Sequence, residues 1–163
     1  MNISGKLGWI VALVLALALG MMSYTFLIKG KTVPYADGRT SILLSPDERN
    51  GVLGEMRAIL AGVQDIIENT VNGDFDAAET RARAMGMAAA NAENPQLIAK
   101  LPLEFKTLGL GLHGAFDDLG DLISTSDDKL EVIAAVSDIM VQCVACHDAY
   151  RLGIEGIEDT GQE

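Results

Sequence analysis

The sequence predicts an all-α protein: an antiparallel four-helix bundle preceded by a single N-terminal transmembrane helix. Three observations predict it. An apolar run occupies Leu7 to Ile28. Four later segments repeat apolar residues at intervals of three and four, the spacing of one helical face. The connections between them are short, which favours antiparallel neighbours, and no strand-like alternation competes in the domain. The 163 residues suit one domain, and an aromatic content of only 5% implies a core of Leu, Ile, Val, Ala and Met.

Residues 1–28 read as the anchor. The apolar run is broken only by Gly8, Gly20 and the mild Ser23-Tyr24-Thr25. At about 1.5 Å per residue it covers roughly 33 Å, enough to cross a hydrocarbon core of about 30 Å. Trp9 and Tyr24 fall near its two ends, where amphipathic rings settle. Ala16-Leu17-Ala18 resembles a signal-peptidase site, but the apolar run continues ten residues past it, so an uncleaved anchor is expected. Lys6 on one side and Lys29 and Lys31 on the other leave the charge rule for orientation nearly balanced.

Residues 29–44 read as a linker arm, with Pro34, Asp37-Gly38 and Thr40 breaking any regular pattern. Ile42-Leu43-Leu44 is expected to pack on the domain that follows, residues 45–152. Its first helix starts at Ser45-Pro46-Asp47-Glu48, with Ser45 as N-cap and Glu48 completing a capping box. Val52, Leu53, Met56, Ile59, Leu60, Val63, Ile66, Ile67 and Val71 form its apolar face, and Gly73 ends it. The second helix runs from Phe75 to Ala90, capped by Asp74 or Asp76. A short helical turn is expected at Pro95 to Leu101. The third helix spans Leu103 to Ile123, with Phe105, Leu108, Leu112, Phe116, Leu119 and Ile123 facing inward. Ser126 caps the fourth, which carries Leu130, Ile133, Val136, Met140 and Val141 and ends near Leu152. The tail, residues 153–163, is acidic and expected to be frayed.

Charge excludes some partners. No Asp or Glu precedes Asp37, so ten Lys and Arg face all 23 acids in residues 30–163, a net of −13. Such a surface repels nucleic acid and suits a basic patch on a partner protein. No paired carboxylates with a nucleophile, no Ser/His/Asp set and no phosphate loop appears, so no enzyme is expected.

Both cysteines lie in one run, Cys143-Val144-Ala145-Cys146-His147. Cysteines at i and i+3 share one side of a helix and can both reach the vinyl-derived edges of one porphyrin. The His that follows is placed to ligate the iron. The spacing reads as covalent attachment of one c-type haem. A structural zinc site needs four ligands, and only the distant His113 is available as the fourth. A thioredoxin-like dithiol expects a βαβ context that this chain lacks.

With Asp148-Ala149-Tyr150-Arg151 following at the end of the last helix, the chain resembles the class II cytochromes c, including cytochrome c′ and its low-spin relatives. The resemblance covers about residues 46–152. It implies haem packed within the bundle and Arg151 near a haem propionate. Because c-type haem is attached outside the cytoplasm in bacteria, it also implies an inner-membrane protein with a cytoplasmic N-terminus and a periplasmic haem domain. In the family, a distal Met comes from the first bundle helix, where Met56 is the only Met. Met85 and Met87 are weaker candidates, and Met140 lies on the helix of the haem motif. His113 is expected to pair with Asp117 one turn on. An open distal face lined by Leu53 and Leu60 would instead bind NO or CO, whereas a Met or His there gives a low-spin electron carrier. The expected function is single-electron transfer, with His147 and Met56 as axial ligands. Two alternatives stay open: a five-coordinate gas-binding protein, and a haem-bearing accessory subunit of a larger respiratory complex.

Overall fold

Helix α2, Pro46–Asn72, begins where its sequence demands. The Ser45 hydroxyl accepts from the Glu48 backbone N–H, and the Glu48 carboxylate accepts in return from the Ser45 N–H at 2.8 Å. Gly73, at φ 81° in the left-handed region, closes the helix. The computed structural model describes the backbone of residues 3–157 and the side chains of 7–157.

The element order is α1 (Ile3–Ser23), a π-helical turn (Tyr24–Lys29), β1 (Thr32–Pro34), β2 (Thr40–Leu44), α2, α3 (Phe75–Ala84), α4 (Met87–Ala90), α5 (Pro95–Lys100), α6 (Leu103–Ile123), α7 (Lys129–Ala149) and β3 (Tyr150–Ile154). The protein is mainly helical. Helix α2 packs on α3 and α7, and α6 packs on α3 and α7. Their shared core holds Ile66, Phe116 and Val132, all fully buried, with Ile59, Val63, Ile123 and Val136 around them.

The expectation of a strandless domain is corrected by a three-stranded sheet in the order β1-β2-β3. The arm at 29–44 is a hairpin rather than a linker: β1 and β2 pair antiparallel, with Thr32 opposite Ile42. Strand β3 pairs parallel to β2, from Thr40 opposite Tyr150 to Leu44 opposite Ile154. So the fourth helix ends at Ala149 rather than near Leu152. Gly153 and Ile154, expected to fray, belong to a strand. The remainder of the expected tail, residues 158–163, lies outside the described residues. The sheet covers a second core of Ile42, Leu44, Val52, Leu97 and Leu101, joined by Phe105, Tyr150 and Leu152. The Arg49 Nε–H adds a bond to the Leu152 carbonyl at 3.1 Å.

Other boundaries shift for identifiable reasons. The second helix is two: the chain breaks at Met85-Gly86, where the Asp117 carboxylate accepts from the Met87 N–H at 2.9 Å and fills the space a Cβ on Gly86 would need. Asp74 caps α3, as one of the two expected candidates. Asp128 rather than Ser126 caps α7, its carboxylate accepting from the Leu130 and Glu131 N–H groups. On α7 the buried stripe is Val132, Val136 and Ile139, so Leu130, Met140 and Val141 are exposed, contrary to expectation. Leu60 and Val71 of α2 are exposed as well.

The helix at the N-terminus stands apart. Leu7–Lys29 is long and apolar enough to cross a membrane, as an anchor or a signal sequence is, and the rest of the protein buries none of it. Helix α7 meets the same length and composition criterion, but its stripe is built into the core.

An ion-pair network ties the sheet to α5. The Lys100 ammonium lies 2.6 Å from Glu48 and 2.8 Å from Glu155, and Lys31 lies 3.1 Å from Glu155. The hydrogen bond from Lys100 holds the Glu48 carboxyl down to about 2, aided by the Ser45 N–H. A depressed carboxyl stabilises the fold above its ordinary value of 4.5 and loses that contribution as pH falls toward 2. Glu48→Gln should therefore flatten the acid limb of the stability curve between those two values, as read by urea midpoints across pH.

Candidate functional site

A cleft of about 450 Å³ lies between the two cores. Helix α2 contributes Val52, Glu55, Met56 and Ile59; α5 contributes Leu97 and Ile98; α6 contributes Phe105, Leu108, Leu112 and His113; α7 contributes Gln142 and Cys146. Its volume and mainly apolar walls are those of a small-molecule or cofactor site. The cleft exists because α3 stops at Ala84. The short helices α4 and α5 then take a different course, leaving α2, α6 and α7 without a full-length fourth neighbour at this end.

The haem-type motif ends α7. Cys143 and Cys146 are free thiols, both half-buried. Burial pushes both thiols up from their ordinary range. Among the described residues no cation offsets that effect at either thiol. Among the described residues, no three His, Cys, Asp or Glu side chains converge as they would around a bare metal ion. Cys146 is on the cleft wall; Cys143 lies one turn earlier, and His147 is exposed and off the wall.

Met56 lines the same cleft as Cys146, from α2, half-buried and packed against the core of the helices. Leu53 is half-buried but off the cleft, and Leu60 is 69% exposed, so neither lines it. Leu60 directly follows the buried Ile59, about 100° further round the helix, and that step carries it to solvent. Met85 is buried in the core against Gly62, Met87 starts α4, and Met140 is exposed. Arg151 lies on β3 with its guanidinium stacked 3.5 Å over the Tyr35 ring. The Tyr150 ring meets Phe105 edge-on at 5.3 Å, and its hydroxyl donates to Glu104.

His113 is buried, but its expected pairing with Asp117 is replaced by two other partners. Nδ1 lies 2.7 Å from the Met85 carbonyl oxygen and Nε2 lies 3.5 Å from Glu55 Oε1. Asp117 is occupied with the Met87 N–H instead. The Glu55 carboxylate beside it raises the His113 imidazole above its ordinary value. Glu55 and Gln142 were not anticipated as cleft residues. Their neighbours across the cleft are remote in sequence, and neither residue type signals a site by itself.

The donor set fits a covalently held haem in three respects. Two reduced thiols occupy successive turns of one helix, an apolar cleft opens at the second of them, and the Met56 thioether and the His113 imidazole lie on that cleft's walls, whereas the motif's own His147 is off them. No protein-family model, curated protein or solved structure matches the chain.

Proposed function

We propose that this protein is a membrane-anchored c-type cytochrome that carries single electrons on one haem. The haem would be bound through Cys143 and Cys146, with His147 and Met56 as axial ligands. One observation carries the reading: Met56 and the motif's Cys146, on different helices and ninety residues apart, share the wall of a single apolar cleft. The ring of neighbours formed by α2, α3, α6 and α7 supports the four-helix-bundle reading and with it the resemblance to class II cytochromes. When bound, haem supplies the one-electron chemistry. The chain's part is to hold it, keep water from its faces with Val52, Ile59, Leu97, Phe105 and Leu112, and supply the axial donors. The exposed apolar helix supports a membrane-spanning segment, and its retention as an anchor rests on the apolar run that continues past Ala16-Leu17-Ala18. Attachment of the haem then implies an inner-membrane location with the domain in the periplasm. The acidic surface would meet a basic redox partner, free or within a larger respiratory complex.

The absorption spectrum tests the axial set. A low-spin haem with a Met–iron charge-transfer band is expected, and Met56→Ala should abolish that band. A second reading rests on His113, a cleft residue whose Nδ1 contact with a backbone carbonyl is the arrangement that orients ligating imidazoles, and whose Nε2 would have to exchange its neighbour Glu55 for the iron. Loss of the low-spin spectrum in His113→Ala, but not in Met56→Ala, would establish a bis-His haem. A high-spin ferrous spectrum with rapid CO binding in the unaltered protein would identify the gas-binding alternative.

A further inference from the structure

The junction between the apolar helix and the domain is built, not slack. The Lys31 N–H bonds to the Lys100 carbonyl at 2.7 Å, and the Leu43 N–H bonds to the Lys31 carbonyl at 2.8 Å. The chain is therefore clamped between the end of α5 and β2 as it leaves the helix. Gly30, at φ 64°, lies so close to the α5–α6 corner that a Cβ there would meet the Lys100 carbonyl oxygen and the Leu101–Pro102 peptide at 2.5–2.6 Å. The Lys106 ammonium of α6 donates to the Phe26 carbonyl at 3.5 Å, inside the last turn of the apolar run. The first turn of α6 is thus held at the level where the apolar helix ends.

That corner is also where apolar side chains remain uncovered. Leu103 and Leu110 of α6 are 48% and 50% exposed, seven residues apart on the helix face that includes Lys106 and Thr107. Ile98 of α5 is exposed beside them. Four of the chain's six lysines, Lys29, Lys31, Lys100 and Lys106, cluster around the same junction, although the protein as a whole carries −11. Lys31 and Lys100 are paired there with Glu155 and Glu48, and Lys106 with the Phe26 carbonyl; apolar side chains beside lysine stems that run along apolar surface suit the boundary between water and lipid.

We propose that the first two turns of α6, with Ile98 beside them, rest on the bilayer, Leu103 and Leu110 entering the headgroup region. The domain then lies on the membrane surface in one orientation and does not swing from a tether. Because Ile98, Phe105, Lys106 and Leu110 also line the cleft, at its mouth, this orientation keeps one side of the cleft close to the lipid. The inference rests on the reading of Leu7–Lys29 as a retained anchor, and continuity with that helix is what identifies lipid as the occupant.

The test uses the full-length, haem-loaded chain in phosphatidylcholine vesicles whose acyl chains are brominated near the headgroup. Emission is read as a ratio to unbrominated vesicles, so that quenching by the haem cancels. Trp9 is the sole tryptophan; Leu103→Trp, Leu110→Trp and Leu130→Trp are each made in a Trp9→Phe background. All three positions are substantially exposed, so the fold tolerates the larger ring; Leu110 also lines the cleft, so its variant is used once its intact mass and absorption spectrum match those of the unaltered protein. Leu130, at the start of α7, is the reference away from the junction. Loss of emission at Leu103→Trp and Leu110→Trp comparable with that of native Trp9, and none at Leu130→Trp, is the expected result. Quenching of native Trp9 with none at Leu103→Trp or Leu110→Trp would overturn the surface docking and leave the anchor standing. Native Trp9 left unquenched would overturn the anchor reading, and the docking with it.

Discussion

Cys143→Ser with Cys146→Ser should leave the exported protein without any covalent haem. The intact mass of the unaltered chain is expected to exceed its sequence mass by one haem, and the double variant's mass should equal the sequence mass. Each thioether needs a sulfur nucleophile. The serine hydroxyl keeps the size of the side chain but cannot form the bond. The single variants sort the two positions: Cys146→Ser removes the sulfur on the cleft wall, Cys143→Ser the one a turn earlier. A double variant that still carries the added mass would sink the haem assignment at this motif. The haem-free double variant should also melt at a lower temperature, because a group held in the cleft of the folded chain stabilises that fold.

Ile42→Ala should lower stability by about 2–5 kcal/mol, the range for large-to-small changes in a closed core, which in a chain of this size moves the melting temperature by roughly 4–20 °C. Ile42 is fully buried with Leu44, Val52, Leu97 of α5 and Leu101 just after it, and it sits in the middle strand of the sheet, opposite both Thr32 and Leu152. Were residues 29–44 only a tether, the substitution would cost almost nothing. Leu60→Ala, 69% exposed on α2, is the comparison and should fall within about 0.5 kcal/mol of the unaltered protein. Urea titration in mild detergent measures both.

The helices were legible because their signals are local. Ser45 and Glu48 form the expected capping box, Gly73 the expected left-handed stop, and α6 runs over the expected Leu103–Ile123. The sheet was harder to read. Asp37-Gly38 between short apolar runs is a hairpin signal, and the turn there closes with Tyr35 N–H on the Arg39 carbonyl. Strand β3 offers no such cue, since its partner precedes it by 110 residues and a parallel pairing leaves no turn between its strands. At the site, Met56 is singled out by the resemblance to class II cytochromes and by being the only Met of the first bundle helix, and it lines the same cleft as Cys146. Local spacing misassigned His113: Asp117 one turn on was the nearest acid, but Glu55 from another helix reaches the imidazole and Asp117 serves the α3–α4 break.

The parallel pairing of β2 with β3 also bears on the order in which the molecule comes together. Closing a loop of about 110 residues carries an entropic cost of roughly 4 kcal/mol beyond a constant, whereas each helix forms from neighbours along the chain. The pairing is therefore disfavoured until the helices have packed and brought Leu44 and Ile154 together. Since β3 begins at Tyr150, three residues after His147, the segment bearing the two thiols stays unclipped through the early stages of folding. It would remain within reach of the attachment machinery until the last strand is laid down.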